Sequence, residues 1–121
     1  MADGVTNLAF LLRGMQPKLH PDRHDFAVCD SAPSDAFAVI REEEGLTVIA
    51  PREAGEWARI SLSVHSSLSA VGLSAAMAKA LADRDISCNI VAGYHHDHLF
   101  VPWLRRHDAM AALTTLSESA A

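Results

Sequence analysis

Between residues 59 and 117, five segments of contrasting hydropathy period follow one another, and that succession restricts the fold more than anything else in the chain. Residues 59–64 alternate Ile60, Leu62 and Val64 with Arg59, Ser61 and Ser63, the pattern of a half-buried strand. Ser67 or Ser69 can then cap a helix running to about Asp83, with Leu73, Met77, Ala80 and Leu81 as its apolar stripe. Its alanines favour the helical state. Residues 86–94 and 99–101 read as two further strands, joined by His95-His96-Asp97-His98 and closed by Pro102. A final helix covers about residues 106–117, with Ala109, Met110, Leu113 and Leu116 on its buried side.

Strand, helix, two strands and helix are five of the six elements of a ferredoxin-like βαββαβ unit. The sixth is missing, because the chain from Ser117 onward is polar and small. An unpaired sheet edge is a liability, so a strand from the first half, or from a second copy, is expected to complete the sheet. The fold class expected is therefore α+β: a ferredoxin-like βαββα(β) unit, with an N-terminal helix and a β-hairpin completing the sheet. Residues 1–57 form the helix-plus-strands portion and residues 58–121 the βαββα unit, joined in one cooperative body.

The first half is less regular. Leu8, Leu11, Leu12 and Met15 recur at helical spacing behind Thr6 or Asn7 as a cap, and Pro17 stops that helix. Residues 18–25, with two histidines and two aspartates beside proline, read as a polar loop, and residues 26–29 as a brief strand. Residues 37–41 and 46–50 are β-rich runs separated by Glu42-Glu43-Glu44-Gly45. This is a hairpin signal in which Gly45 takes positive φ. The acidic run reads as a solvated turn. Pro51 ends the second of these strands.

Charge and composition exclude several classes of function. Ten Lys and Arg stand against 15 Asp and Glu, a net charge of −5, and the basic residues are scattered, so nucleic acid is not an expected partner. No apolar run approaches the roughly 20 residues needed to span a bilayer, and Asp3 without a basic region gives no secretory signal. Cys29 and Cys88 lack CxxC spacing and read as reduced, buried side chains of a cytoplasmic protein. There is no GxSxG, P-loop or GxGxxG, so the chain is expected not to be an enzyme and to need no cofactor.

Three blocks of residues carry a family likeness. The first is Arg41-Glu42-Glu43-Glu44-Gly45-Leu46-Thr47 with Pro51-Arg52-Glu53. The second is Ser63-Val64-His65-Ser66-Ser67-Leu68 with Ala70-Val71-Gly72-Leu73, and the third runs over residues 86–102. With these the chain resembles small bacterial proteins built from ACT-type domains, over about residues 15–117. The resemblance implies a regulatory module that binds an amino acid or similar small carboxylate, usually at the interface of a homodimer, and acts through a partner enzyme. Carried onto this chain, the implied ligand positions are residues 65–72, the loop between the first strand and first helix of the unit, and residues 89–93 on the next strand. Among them His65, Ser66, Ser67, Leu68, Val71, Gly72, Asn89, Ile90, Ala92 and Gly93 are the candidate binding residues, with His98 beside them.

The residue chemistry is compatible with that assignment, and each position also has a plain structural alternative. Backbone N–H groups at a helix start suit a carboxylate, and Gly72 would let a ligand approach the backbone. Alternatively Ser67 or Ser69 only caps the helix and Gly72 only permits close packing. Asn89, on an expected central strand, needs a hydrogen-bond partner, which is either a ligand or a neighbouring loop. Gly93 marks a bulge or a close backbone approach. His95, His96 and His98 with Asp97 also suggest zinc or nickel. Adjacent side chains in a hairpin point to opposite faces, however, so no metal is expected, and His95 or His98 is expected to line the ligand pocket. A metal-binding protein built on this hairpin and a ligand-free interaction module are the alternatives.

Overall fold

A 13-residue strand, β1 (Pro17–Cys29), holds the two halves of the chain together. In the computed structural model, which describes residues 7–120, it pairs on one side with β3 (Gly45–Pro51) and on the other with β4 (Trp57–Leu62). The remaining strands are β2 (Ala38–Glu42), β5 (Asn89–Ala92) and β6 (Asp97–Pro102). All six form one curled antiparallel sheet in the order β2-β3-β1-β4-β6-β5. The open side of β4 is thus covered by a strand of the same chain's first half, one of the two sources expected from the sequence.

Most of β1 corrects the reading of residues 18–25 as a loop. Leu19 pairs with Ile60 and Arg23 with Ala58, so the three residues 20–22 arch over Arg59 alone. Pro17 takes the first position of the strand and Pro21 lies within this bulge, two places where a missing N–H costs no ladder bond. Prolines that read as loop punctuation are therefore accommodated in a strand. The β2–β3 turn follows the sequence closely: Glu42 pairs with Gly45 around Glu43-Glu44, and Gly45 has φ +141°.

Three helices lie on one face of the sheet: α1 (Leu8–Arg13), α2 (Leu73–Ala82) and α3 (Arg106–Ser119). Asn7 caps α1, accepting a hydrogen bond from the Phe10 N–H at 2.9 Å; the Thr6 alternative and Asp3 lie outside the described residues. Six residues are too few for an independent helix, and burial of Leu11, with Met15 just beyond, holds α1 in place. Ile60, Leu62, Leu99 and Val101 meet Leu73, Met77, Leu81 and Leu113 in the main core. Each such side chain contributes about 1.5–3 kcal/mol by leaving water. α2 starts later than the serines suggested: its N-cap is Gly72 at φ +100°, without a side-chain cap. Cys29 and Cys88 are free and only half-buried. No helix among the described residues is long and apolar enough to cross a membrane.

The curl gives the second face a smaller core of its own. Phe100 is fully buried there, with the rings of Phe26, Phe37 and His24 at 5.4, 5.6 and 5.7 Å. Beyond this cluster no helix among the described residues covers the second face, and at one end its polar side chains border an open pocket.

Candidate functional site

The segment that follows β4 does not run straight into a helix. Residues 63–72 form an irregular loop, with the Ser67 hydroxyl accepting from the Ser69 N–H at 3.1 Å and the Ala70 N–H donating to the Ser67 carbonyl at 3.0 Å. Ser67 therefore organises the loop rather than the helix. The loop, the first turn of α2 and the β5–β6 end of the sheet enclose a cavity of about 120 Å³, bordered by Ser66, Ser67, Gly72, Ser74, Ala92 and Asp97. Helix geometry leaves the N–H groups of Leu73, Ser74 and Ala75 without intrahelical partners; the first closed bond of α2 is from Ala76 to the Gly72 carbonyl at 2.9 Å.

Asp97 supplies the cavity's charge. It opens β6 on the helix-covered face and is 7% exposed, a rare position for a carboxylate. Among the described residues its side chain takes one hydrogen bond, from the Ser66 hydroxyl at 3.4 Å, and no cation lies within ion-pair distance. Burial raises its pKa above the ordinary carboxylate value, and the Ser66 hydrogen bond and the nearby His96 only partly offset this. An ammonium group entering the cavity would find an unpaired carboxylate on one side and backbone donors on the other.

The candidate residues divide between two faces of the sheet. Ser66, Ser67, Leu68, Gly72 and Ala92 border the cavity. Ile90 packs against the main core, and Val71 is 83% exposed, outside the cavity. His65 faces His95 and Tyr94, at ring distances of 5.2 and 6.1 Å. The expectation that Asn89 sits on a central strand is corrected: β5 is a sheet edge, and Asn89, paired with Phe100, is exposed on the second face. His98 is likewise on the second face, because side chains alternate along a strand and its neighbours Asp97 and Leu99 point to the helices. Gly93 does make the close approach expected of it: its N–H donates to the His96 carbonyl at 3.0 Å, and a Cβ there would stand 2.7 Å from that oxygen. Among the described residues, no three of His, Cys, Asp and Glu are grouped to hold an ion.

Around His98 the second face holds a cluster that sequence reasoning missed. Lys18 pairs with Ser61 and Ser61 with His98, so these three form one rung across β1, β4 and β6. Arg59, one position along the same face, lies with its guanidinium carbon 4.4 Å from the Phe37 ring centre. Its Nη atoms reach Ser61 Oγ at 3.3 Å and the δ-nitrogens of His98 and His20 at 3.4 Å each. A guanidinium only donates, so both δ-nitrogens accept and both rings carry their proton on Nε2. His20 Nε2–H then donates to Ser61 Oγ, and the Ser61 hydroxyl donates to His98 Nδ1, each at 2.8 Å. Burial, followed by the Arg59 charge, lowers the basicity of both rings, that of His98 to about 4. His24 is also lowered, chiefly by burial. The sequence signal was present in Arg59, Ser61 and Ser63 as the polar half of an alternating strand, but the partners came from a stretch read as loop.

A family model described as the ACT domain matches residues 3–66, and a second, also described as an ACT domain, matches residues 56–115. A solved structure of a Vibrio cholerae protein of unknown function, described as a possible transport protein, is similar at 36% identity with a TM-score of 0.77. The match covers 91% of this chain and 95% of that one. An Agrobacterium tumefaciens protein shares the fold at 14% identity and a TM-score of 0.69, over 84% of this chain and 87% of that one. No curated protein matches the chain.

Proposed function

The chain belongs to the ACT-domain family, and from that premise we propose that it is a non-catalytic sensor that binds an amino acid or a related small carboxylate in the cavity beside Asp97. ACT domains are generally small-molecule-binding regulatory modules and often dimerise. The proposal extends that to a cytoplasmic homodimer that relays occupancy to a partner enzyme. In this reading β4-α2-β5-β6-α3 is the ferredoxin-like βαββα unit, and β1 takes the place of its sixth element from the N-terminal side.

One observation carries the reading: a buried carboxylate with no cation in ion-pair distance among the described residues, and a helix N-terminus with no acidic residue in its first turn, border the same small cavity. An α-amino acid presents the two complementary charges on one carbon. Its carboxylate would take the first N–H groups of α2, favoured by the helix dipole. Its ammonium would take Asp97 and the Ser66 hydroxyl. The cavity of about 120 Å³ is well below the roughly 300 Å³ at which drug-sized pockets begin, so a small side chain is favoured. Signalling would come from a difference in affinity between two packings of the dimer.

The test is thermal unfolding against each of the twenty amino acids, repeated in Asp97→Asn and Ser66→Ala. A ligand at 100 times its dissociation constant adds about 2.7 kcal/mol. A small amino acid is expected to give this shift in the native protein and little or none in Asp97→Asn. No shift with any amino acid, or an equal shift in Asp97→Asn, would falsify the assignment.

A further inference from the structure

We infer that the second face of the sheet carries a separate anion site, centred on Arg59 and built to hold the phosphate group of a small molecule. It lies across the sheet from the cavity beside Asp97 and does not depend on that cavity's ligand. The space above the Lys18–Ser61–His98 rung measures about 350 Å³ and is bordered also by His20, Arg59 and His96. That volume falls in the range of pre-formed ligand pockets.

Charge is the first argument. The chain as a whole is acidic, at −5, yet this pocket is bordered by two cations, Lys18 and Arg59, with the neutral imidazoles of His20 and His98 beside them and no aspartate or glutamate among its lining residues. Asp22, in the β1 bulge, acts on Arg59 and His20 only at longer range and makes no ion pair with them. Arg59 is half-buried with its Nε enclosed and without a hydrogen-bond partner, and its remaining contacts are all at the long limit of hydrogen bonding. A partly desolvated guanidinium with only long contacts at its Nη atoms favours an anion at that edge.

Geometry is the second argument. Three residues of β1 arch over Arg59, and this bulge sets His20 against the arginine. Ser61 ties His20 and His98 into one hydrogen-bonded line, and Phe37 supports the guanidinium from one side. The Arg59 and His98 donors are thus held in place before a ligand arrives, and the exposed Lys18 stands beside them. They also come from separate strands: Lys18 from β1, Arg59 from β4 and the His98 side from β6. A planar carboxylate is satisfied by the guanidinium fork alone. A tetrahedral dianion uses a second cation and donors from several directions, which is what the rung provides.

Titration of the isotope-labelled protein with inorganic phosphate, at pH 7 and constant ionic strength, tests the site through amide and imidazole NMR shifts. Saturable shifts are expected at residues 18–20, 59–63 and 96–98, with little change at residues 66–75. Arg59→Gln is expected to weaken phosphate about tenfold or more, as loss of a charge-assisted pair does. Lys18 is exposed, so Lys18→Gln leaves the fold intact and is expected to weaken binding severalfold even if Arg59→Gln proves unstable. Shifts that grow linearly without saturating, or an affinity unchanged in Lys18→Gln, would overturn the site. Acetate binding at the same residues as tightly as phosphate would overturn the phosphate assignment.

Discussion

Asp97 and His98 are neighbours in sequence and face opposite sides of the same sheet, and the two environments are near mirror images. On the helix-covered side a carboxylate is buried without a cation and touched by one serine hydroxyl. On the other side a guanidinium is half-buried without a carboxylate, again held by a serine hydroxyl and by imidazoles that burial and charge keep neutral. Among the described residues neither charge has a partner within ion-pair distance. A fold selected for stability alone has little reason to bury one unpaired charge on each face. The pair suggests two ligand chemistries of opposite demand, insulated by the strands between them.

The sharpest way to break this comparison is to ask whether the second face is a core at all. Phe100 is expected to be as important as any residue under the helices: Phe100→Ala should cost about 3–5 kcal/mol and Leu99→Ala about 2–5 kcal/mol, read from urea unfolding midpoints at constant slope. A loss below about 1 kcal/mol for Phe100→Ala would mean that the curl of β2 and β3 does not hold the aromatic cluster, and Arg59 would lose its support on Phe37.

Relief of the buried charge is a smaller effect of opposite sign. Asp97→Asn keeps an acceptor for Ser66 and removes the ionised form, so it is expected to stabilise the ligand-free protein at pH 7 by on the order of 1 kcal/mol. The same substitution is expected to remove the amino-acid response. Stability gained where binding is lost would mark Asp97 as retained for its ligand; lost stability would show that its ionised form is satisfied in the folded protein.

The two sides also titrate in opposite directions. His98 has its basicity lowered to about 4 in the folded protein, against 6.5 for the free side chain, so the unfolded chain binds the proton first. Its contribution is complete above pH 6.5 and is lost as pH falls from 6.5 towards 4. His20 and His24 act in the same sense. Asp97 is raised: folding disfavours its charge, so its effect is a gain in stability as pH falls through its raised value towards the ordinary 3.8. Unfolding midpoints between pH 7 and 4 should therefore fall less steeply in His98→Asn than in the native chain, and more steeply in Asp97→Asn. Equal slopes in all three proteins would mean that the faces are not distinguished by burial.

Legibility in the sequence followed local periodicity. The strand at residues 59–64, the helix stripe of Leu73, Met77 and Leu81, the turn at Gly45 and the cap at Asn7 each depend on neighbours within a few residues, and each was visible. β1 was not visible, because its prolines are excused only by a start position and a bulge that exist once β4 is alongside. The same gap hid the Arg59 cluster, whose members come from residues 18–20, 59–61 and 96–98. The loop at residues 65–72 was legible as the connection from strand to helix, while its supposed companions Asn89 and His98 were assigned without knowing which face each would take.

Asn89 offers the smallest and most discriminating change. It is exposed on an edge strand, on the second face, away from the cavity at Asp97. Asn89→Ala is therefore expected to alter stability by no more than about 0.5 kcal/mol and amino-acid affinity less than about twofold, measured by calorimetry. The ACT resemblance placed a ligand contact here, and the isolated chain offers no route from this side chain to the cavity. If Asn89→Ala nevertheless weakens binding tenfold, the ligand must meet Asn89 from another copy. The β5 edge, whose outer backbone groups have no strand beside them, would then be where two copies join to complete the site.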